Sequence, residues 1–495
     1  VSNNADAHLY TVPAAIPYPI DLLDIHAAWP ERYPVILESV AHSPQTRYDL
    51  LLGWPRYMLI QGDAAAVRAS ALPGVPQLSS CPDGFLTEFS RHWHAQRPIA
   101  TPDSDLPFCG GWFVYLGYEL AAEIEPKLHL PAYPGLPTAL ALRIPAAILQ
   151  DHARRQIWLV AETPQLLDGL RADLAYARAV ADPTVGASLV DAPTSTVHTR
   201  ASTRASTRDA PTSTLAWDVE ESDPAPFLAS VAQIQTYIRA GDVFQVNLSR
   251  AWRARWARLN QATGLYRSLR RHNPAPFAAL CRFAHWALLS SSPERLVSAR
   301  YGQVQTRPIA GTHPRGQNAS ADRAASARLQ AHPKEQAEHV MLIDLLRNDL
   351  GKLCVPGSIH VNELMALETY AHVHHLVSNL TGQLSAEVDP AAIIRALFPG
   401  GTITGCPKVR CMEIIAELEQ TPRGPYTGSV GYVDHRGHMD LNILIRTLWA
   451  QDEHLHFRAG AGIVHDSEAQ RELHETRAKA AGLLAALAEK RFNNT

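Results

Sequence analysis

The stretch from residue 427 to residue 490 leaves this chain little freedom of fold class. Leu441, Ile443, Ile445, Thr447 and Trp449 alternate with Asp440, Asn442, Leu444, Arg446 and Leu448. A period of two over that length predicts a single β-strand with two distinct faces. Turn signals at Asp434-His-Arg-Gly437 and Gln451-Asp-Glu453 bound it, and strand-like runs at 427–433 and 454–460 lie on either side. Three strands joined by short turns predict an antiparallel meander. An apolar stripe at helical spacing follows at once: Leu473, Ala480, Leu483, Leu484 and Leu487. Ser467 and Gln470, just ahead of it, have the spacing of a capping box. Helices packed on an antiparallel sheet give an expected class of α+β.

A chain of 495 residues is long enough for two to four ordinary domains or one large sheet-based unit. Its formal charge of −3 includes no basic stripe of the kind nucleic acid requires. No apolar run reaches the length of a membrane span, and the first residues lack the pattern of a secretory signal. The cysteines are scattered without a Cys-x-x-Cys pair, which disfavours a disulfide framework or structural zinc. These features predict a soluble, cytoplasmic protein with reduced thiols and no nucleic-acid or membrane partner. Asp191-Ala-Pro-Thr-Ser-Thr196 recurs as Asp209-Ala-Pro-Thr-Ser-Thr214, in a segment rich in Ser, Thr, Ala and Arg. Such composition buries too little apolar area to offset its ordering entropy. Residues 187–216 are therefore expected to be a disordered linker between an N-terminal region, 1–186, and a C-terminal region, 217–495. In the former, the aromatic run 110–119 reads as a buried strand or the entry to a helix, and the runs 139–144 and 156–160 read as strands.

Two Glu-x-x-Glu pairs carry the strongest chemical signal. Glu335 and Glu338 follow Pro333, which suits the first position of a helix; Glu472 and Glu475 lie on the helix named above. Residues three apart share a helix face. A lone pair of this kind is ordinarily a solvated surface, but two such faces brought together require a cation. A hard divalent ion with oxygen ligands, Mg²⁺ first, answers that need.

Other motifs surround these helices. Ser290-Ser-Ser-Pro-Glu294 follows the apolar run 286–289, so a strand delivers Glu294 past a proline. Desolvation there raises a carboxyl pKa and suits it to act as an acid. Thr306-Arg-Pro-Ile-Ala-Gly-Thr312 reads as a strand end turning at Gly311, with Thr312 and nearby amides as hydrogen-bond donors. Phe398-Pro-Gly-Gly-Thr-Ile-Thr-Gly-Cys-Pro407 is a glycine-rich loop entering a helix, where free amides favour a carboxylate or phosphate. Its spacing is not that of a nucleotide-binding P-loop. Arg446, Arg458, Lys479, His375 and the glycines of Gly460-Ala-Gly462 are further candidates, the glycines because they permit close approach of a ligand.

Taken together, Gly241-Asp-Val-Phe-Gln-Val-Asn-Leu-Ser-Arg250, Ser292-Pro-Glu294, Pro308-Ile-Ala-Gly-Thr312, the helix from Glu335 to Gly351, Gly400-Gly-Thr-Ile-Thr-Gly-Cys-Pro-Lys408, Arg446, Gly460-Ala-Gly-Ile463 and the run from Glu472 to Lys479 resemble the chorismate-utilising enzymes. The resemblance implies a large α/β sandwich built on antiparallel sheets, and chorismate held with Mg²⁺. It implies that Glu338 and Glu472 bind the ion directly, with Glu335 and Glu475 close by or acting through water. By the same resemblance Glu294 is the acid that protonates the departing C4 hydroxyl. Arg446, Tyr426, Gly462 and Lys479 bind the enolpyruvyl carboxylate, and His375 and Thr312 line the pocket. Thr402, Thr404, Gly405 and Gly460 belong to the substrate-binding loops. Leu37-Glu38-Ser39 resembles the start of the family's tryptophan site and is expected to be structural or vestigial.

Within the family, the isochorismate and salicylate synthases place a lysine base where Gln245 stands. Glutamine cannot deprotonate water, so ammonia is the expected nucleophile. Arg47-Tyr-Asp-Leu50, the run 110–118, Gly401-Thr-Ile-Thr-Gly-Cys-Pro407 and Met439-Asp-Leu-Asn-Ile443 resemble the aminodeoxychorismate synthase branch, which aminates C4. Ala310 stands where that branch carries a nucleophilic lysine, and is the pattern of the anthranilate synthase branch, which aminates C2 and releases pyruvate. The four signals outweigh the one, and the C4 reaction, in folate synthesis, is expected. A non-catalytic amino-acid-binding relative is opposed by the intact glutamates. No cysteine lies in a Gly-x-Cys-x-Gly setting, so a separate glutamine amidotransferase subunit, or solution, is expected to supply ammonia.

Overall fold

The computed structural model describes residues 9–16, 18–41, 47–78, 81, 83–96, 104–181, 218–256, 259–316, 318–369 and 373–489, without the side chains of 179–181, 260, 310, 312–314, 334 and 373. The expected linker, 187–216, lies outside the described residues.

Two large sheets form the centre. From edge to edge, the first runs β1 (Tyr10–Pro13), β9 (Gln156–Ala161), β8 (Ala146–Asp151), β3 (Tyr48–Gly53), β2 (Val35–Glu38), β12 (Phe277–Arg282), β13 (Trp286–Ser292), β22 (Thr447–Gln451), β23 (His454–Ile463), β11 (Gln245–Arg255) and β10 (Val219–Glu221), with β19 (Gly405–Cys406) paired to β11. The second runs β16 (Ile309–Pro314), β18 (Val373–Gln383), β15 (Gln303–Thr306), β14 (Arg295–Arg300), β21 (Met439–Asn442), β20 (Ser429–Asp434), β6 (Gly111–Leu116), β7 (Ala139–Ile144), β4 (Met58–Gln61) and β5 (Gln77–Leu78), with β17 (His360–Thr369) paired to β18. Every described pairing between these strands is antiparallel except that of β4 with β5. The class is α+β, and the sandwich expected from the motifs is present. Of the N-terminal runs, 110–119 holds the strand β6, and 139–144 and 156–160 are β7 and β9.

Leu50, Leu52, Cys281 and Leu288 of the first sheet meet Met58, Phe113, Tyr115, Leu140 and Leu142 of the second in one buried cluster. Strands covered on both sides carry near-continuous apolar runs, and every residue of β6, β7 and β8 is buried. Helices Leu22–Ala28, Pro164–Ala181, Ala262–His272 and Ala469–Ala488 cover the outer face of the first sheet. Helices Phe85–Ala95, Pro333–Gly351 and Pro390–Leu397 cover that of the second. Both sheets draw strands from both sides of residues 187–216.

Three local expectations need correction. The alternating run 440–449 is two strands. β21 ends at Asn442 in the second sheet, and β22 begins at Thr447 in the first. Alternation records burial of one face and is blind to which sheet supplies it. Residues 443–446 make the crossing, and Arg446 there takes a φ of 52°. The proposed capping box does not form: helix Ala469–Ala488 has Glu468 at its N-cap without a side-chain bond, while Ser467 Oγ accepts from Val464 N. Gly311 is no strand end. It sits inside β16 at a register shift opposite β18, with a φ of 68°, because an extra residue there bulges the strand.

Candidate functional site

The chain also steps between the sheets at Pro293-Glu294, between β13 in the first and β14 in the second. β13 pairs with β22 and β14 with β21, so the two crossings, at 293–294 and 443–446, lie side by side. Their backbones are tied: Ile443 N donates to Glu294 O at 3.0 Å and Ser291 N to Arg446 O at 3.1 Å. The seam therefore sets a carboxyl and a guanidinium next to each other where neither sheet has a complete ladder. Arg446 holds a backbone conformation that non-glycine residues rarely adopt, which is the kind of strain that functional sites retain.

Glu294 is buried, and Thr402 Oγ1 donates to its Oε1 at 2.8 Å. Burial pushes its pKa up to about 7, against the opposing pull of the Thr402 bond, Arg446 and Lys479. Burial lowers the pKa of Arg446, while Tyr426, Glu294 and Glu475 favour its charge. Lys479, on the helix Ala469–Ala488 (α1), donates to Gly460 O at 3.0 Å and pairs with Glu475 at 2.5 Å. Tyr426 is buried, and burial raises its pKa. Its hydroxyl lies over Gly460, where an added Cβ would come within 2.7 Å of it. His375, on β18, is buried; desolvation first, then Arg446, pushes its pKa down to about 4, and it hydrogen-bonds the backbone of Gly311. It is therefore neutral at physiological pH. A Cβ on Gly311 would lie 2.8 Å from Glu335 Oε2, so the first glutamate of helix Pro333–Gly351 reaches the same bulge.

Contacts link Glu335 with Gly311 and His375, Glu294 with Thr402, and Tyr426 and Lys479 with Gly460, and Arg446 acts electrostatically on both His375 and Glu294. Gln245 joins them on β11: a Cβ on Gly462 would meet its Nε2 at 2.3 Å. Gly405 has a φ of 132° and no room for a side chain, since a Cβ would lie 2.0 Å from Gln245 O. It lets β19 close on β11. Thr404 spends its hydroxyl on Gly400 O at 3.0 Å and its carbonyl on Asn247 N at 2.9 Å. Ala310 and Thr312 stand in β16 opposite Leu376 and His375. Arg458 is held by Glu419 at 2.8 Å and Ser249 at 3.0 Å, a structural commitment.

The four helical glutamates are less tightly gathered than their spacing suggested. Glu472 is buried on α1 and Glu338 half-buried, while Glu475 is exposed against Lys479. Among the described residues no three His, Cys, Asp or Glu side chains are grouped to hold a metal.

Glu38 and Ser39 lie elsewhere. They line a separate cavity of about 520 Å³ with Arg47, Tyr48, Arg295 and Asp440. Glu38 pairs with Arg270 at 2.9 Å and accepts from Tyr266 at 3.0 Å; Ser39 N donates to Asp49 at 2.8 Å. Sequence reasoning passed over Asn247. Its signal was available: it stands two residues after Gln245 on one strand, hence on the same face.

Comparison with known proteins adds a second kind of observation. Residues 51–485 match the family model described as chorismate binding enzyme. A protein called anthranilate synthase component I-like, from Synechocystis, is 40% identical over 77% of this chain and 73% of its own length. Aminodeoxychorismate synthase component 1 of Klebsiella aerogenes is 37% identical over 88% of this chain and 89% of its own. The crystal structure of anthranilate synthase component I from Streptococcus pneumoniae superposes with a TM-score of 0.70 and 28% identity, covering 90% of this chain and 93% of that one. The menaquinone-specific isochorismate synthase MenF of Escherichia coli shares the fold, with a TM-score of 0.67 at 18% identity, covering 97% of this chain and 94% of that one. Among the described residues no helix is long and apolar enough to cross a membrane.

Proposed function

We propose that this chain, which belongs to the chorismate-binding enzyme family, is an aminodeoxychorismate synthase component I that replaces the C4 hydroxyl of chorismate by an amino group. The observation that carries this reading is Glu294: a buried carboxyl with a pKa of about 7, held by Thr402 and felt by the charges of Arg446 and Lys479. An acid of that pKa is half-protonated at neutral pH and is matched to proton transfer there. In this reading Arg446 and Lys479 receive the carboxylates of a dianionic substrate, leaving the hydroxyl to Glu294. The C–O bond breaks as Glu294 gives up its proton, water leaves, ammonia forms the C–N bond, and the surplus proton of the resulting ammonium returns to Glu294.

Mg²⁺ is part of the proposal. Glu338 and Glu472, with Glu335 and Glu475 behind them, would hold it, and it would supply charge neutralisation to a substrate carboxylate. Ammonia would come from a glutamine amidotransferase subunit. Support for C4 comes from the sequence motifs noted above and from the long alignment with the Klebsiella aminodeoxychorismate synthase. Ala310 favours anthranilate formation instead. Incubation with chorismate, Mg²⁺ and ammonium separates the two. The C4 reading expects a product that yields 4-aminobenzoate only after a lyase is added. Fluorescent anthranilate with release of pyruvate would overturn it.

A further inference from the structure

Arg423 is a buried cation with no part in the proposed chemistry. It is 1% exposed, and acceptors meet every N–H of its guanidinium. Nε and Nη2 donate to Glu419 at 3.0 and 2.6 Å. Nη1 donates to Ile403 O and to Thr427 Oγ1, each at 3.3 Å, and Nη2 also to Asn247 O at 2.7 Å. The Thr427 hydroxyl donates to Tyr426 O at 2.5 Å, and the guanidinium carbon lies 5.5 Å over the Tyr426 ring.

Ion pairing alone does not account for this placement. Glu419 is also paired with Arg458 at 2.8 Å, so its charge is met without Arg423. Buried ion pairs are weak contributors to stability. What sets Arg423 apart is the identity of the carbonyls it holds. Ile403 ends the turn Gly401–Ile403, whose Thr402 donates to Glu294 at 2.8 Å. Asn247 N donates in turn to Thr404 O at 2.9 Å. The guanidinium thus fixes the carbonyl after Thr402 directly, and the next one through the Asn247 peptide. The turn's own bonds are long: Ile403 N to Gly400 O at 3.4 Å and Thr404 N to Gly401 O at 3.3 Å. Gly401 packs on Leu345, where an added Cβ would lie 2.2 Å from Cδ2. That apolar contact gives the Thr402 hydroxyl no direction.

We propose that Arg423 is a positioning residue for the acid: by gripping the carbonyls of Ile403 and Asn247 it aims the Thr402 hydroxyl at Glu294, an inference that rests on the reading of Glu294 as the general acid. The Thr402 bond is one of three influences that oppose burial and hold the carboxyl down to about 7, the others being the charges of Arg446 and Lys479. Arg423 itself is not among them, so its effect on the acid passes through the turn. A lysine at 423 keeps the positive charge but lacks the planar fork that spans Glu419 and both carbonyls. Without that fork the turn slackens, the hydroxyl leaves Glu294, and the acid holds its proton to higher pH.

The test is the pH profile of kcat/KM for chorismate consumption by the full chain, with Mg²⁺ and constant free ammonia, for wild type, Thr402→Val, Arg423→Lys and the double variant. Thr402→Val should move the falling limb up by about half to one pH unit, the worth of one hydrogen bond. Arg423→Lys should move it in the same direction, and the double variant should match Thr402→Val alone. A limb that Arg423→Lys leaves in place, or that Thr402→Val leaves in place, overturns the positioning role while Glu294 stands as the acid. Shifts that add in the double variant overturn it as well, because Arg423 then acts by another route. Should the lysine variant fail to fold, Arg423→Met takes its place, since Glu419 keeps Arg458 as its partner; a direct effect of the lost charge would add to that of Thr402→Val and overturn the role. A wild type without a falling limb overturns the acid reading of Glu294 and the role of Arg423 with it.

Discussion

At Glu294, desolvation competes with a hydroxyl donor and two cations, and desolvation wins. The same imbalance has a consequence for stability. A carboxyl whose folded pKa lies above its unfolded value stabilises the fold fully only below the unfolded value, near 4.5, and that contribution is lost as pH rises to about 7. Glu294→Gln removes the titration while keeping an acceptor for Thr402. It should therefore be more stable than wild type at pH 8, by on the order of 3 kcal/mol, and equal to it at pH 4. Denaturant midpoints at the two pH values check this. The variant should lose chorismate amination by a factor of about 10²–10⁴, the usual worth of a general acid. Glu294 was legible in the sequence because an apolar run, a proline and a carboxyl in that order place the acid at a strand exit. Asn247 was not. Asparagine in a strand is unremarked until the pairing register sets it opposite Gly462 and leaves its oxygen without a donor.

Among the elements, β23 shows how closely the strand pairs constrain the site. A Cβ on Gly460 would meet Leu248 O, Asn247 Oδ1 and the Tyr426 hydroxyl, each at 2.7 Å, and the backbone oxygen cannot yield. Gly460→Ala should cost about 1–3 kcal/mol, as overpacking does, and abolish turnover. At Gly462 the clash is with the end of the Gln245 side chain alone. Gly462→Ala should change stability by less than about 0.5 kcal/mol while raising the KM for ammonia. Thermal melts and kinetics on the pair distinguish a packing loss from a displaced carboxamide. Element type was well legible here, since the periods of two and 3.6 are strong in this chain. The crossing between sheets was not: residues 443–446 continue the alternation of β21 and β22 without a break, and only the pairing partners reveal that the sheet has changed. Arg446 and Glu294 owe their proximity to that hidden step.

On the scale of the molecule, the low-complexity segment 187–216 divides the sequence but not the core. β2 pairs with β12, and β6 with β20, so each sheet is closed by hydrogen bonds between the two regions. Leu288 and Trp449 pack with Leu140 and Phe113. Residues 1–186 and 217–495 expressed apart should each lack a cooperative melting transition, and together they should recover one. Two separate transitions would show independent folding units. The sheet order itself was beyond sequence patterning, because strands 200 residues apart carry no mark of their partner. The site inherits this: its residues come from β11, the two crossings, the glycine-rich loop, β18, β23 and two helices, and they meet only once both sheets have formed.

The most direct measurement on the central claim, a neutral carboxyl in the field of two cations acting on a dianionic substrate, is the pH dependence of kcat/KM for chorismate at constant free ammonia. That ratio reports the ionisations of the free enzyme. It should fall as pH rises through about 7, as Glu294 loses its proton, and the limb should vanish in Glu294→Gln with the residual rate. A profile flat from pH 6 to pH 9, or a falling limb that survives in Glu294→Gln, would contradict the account.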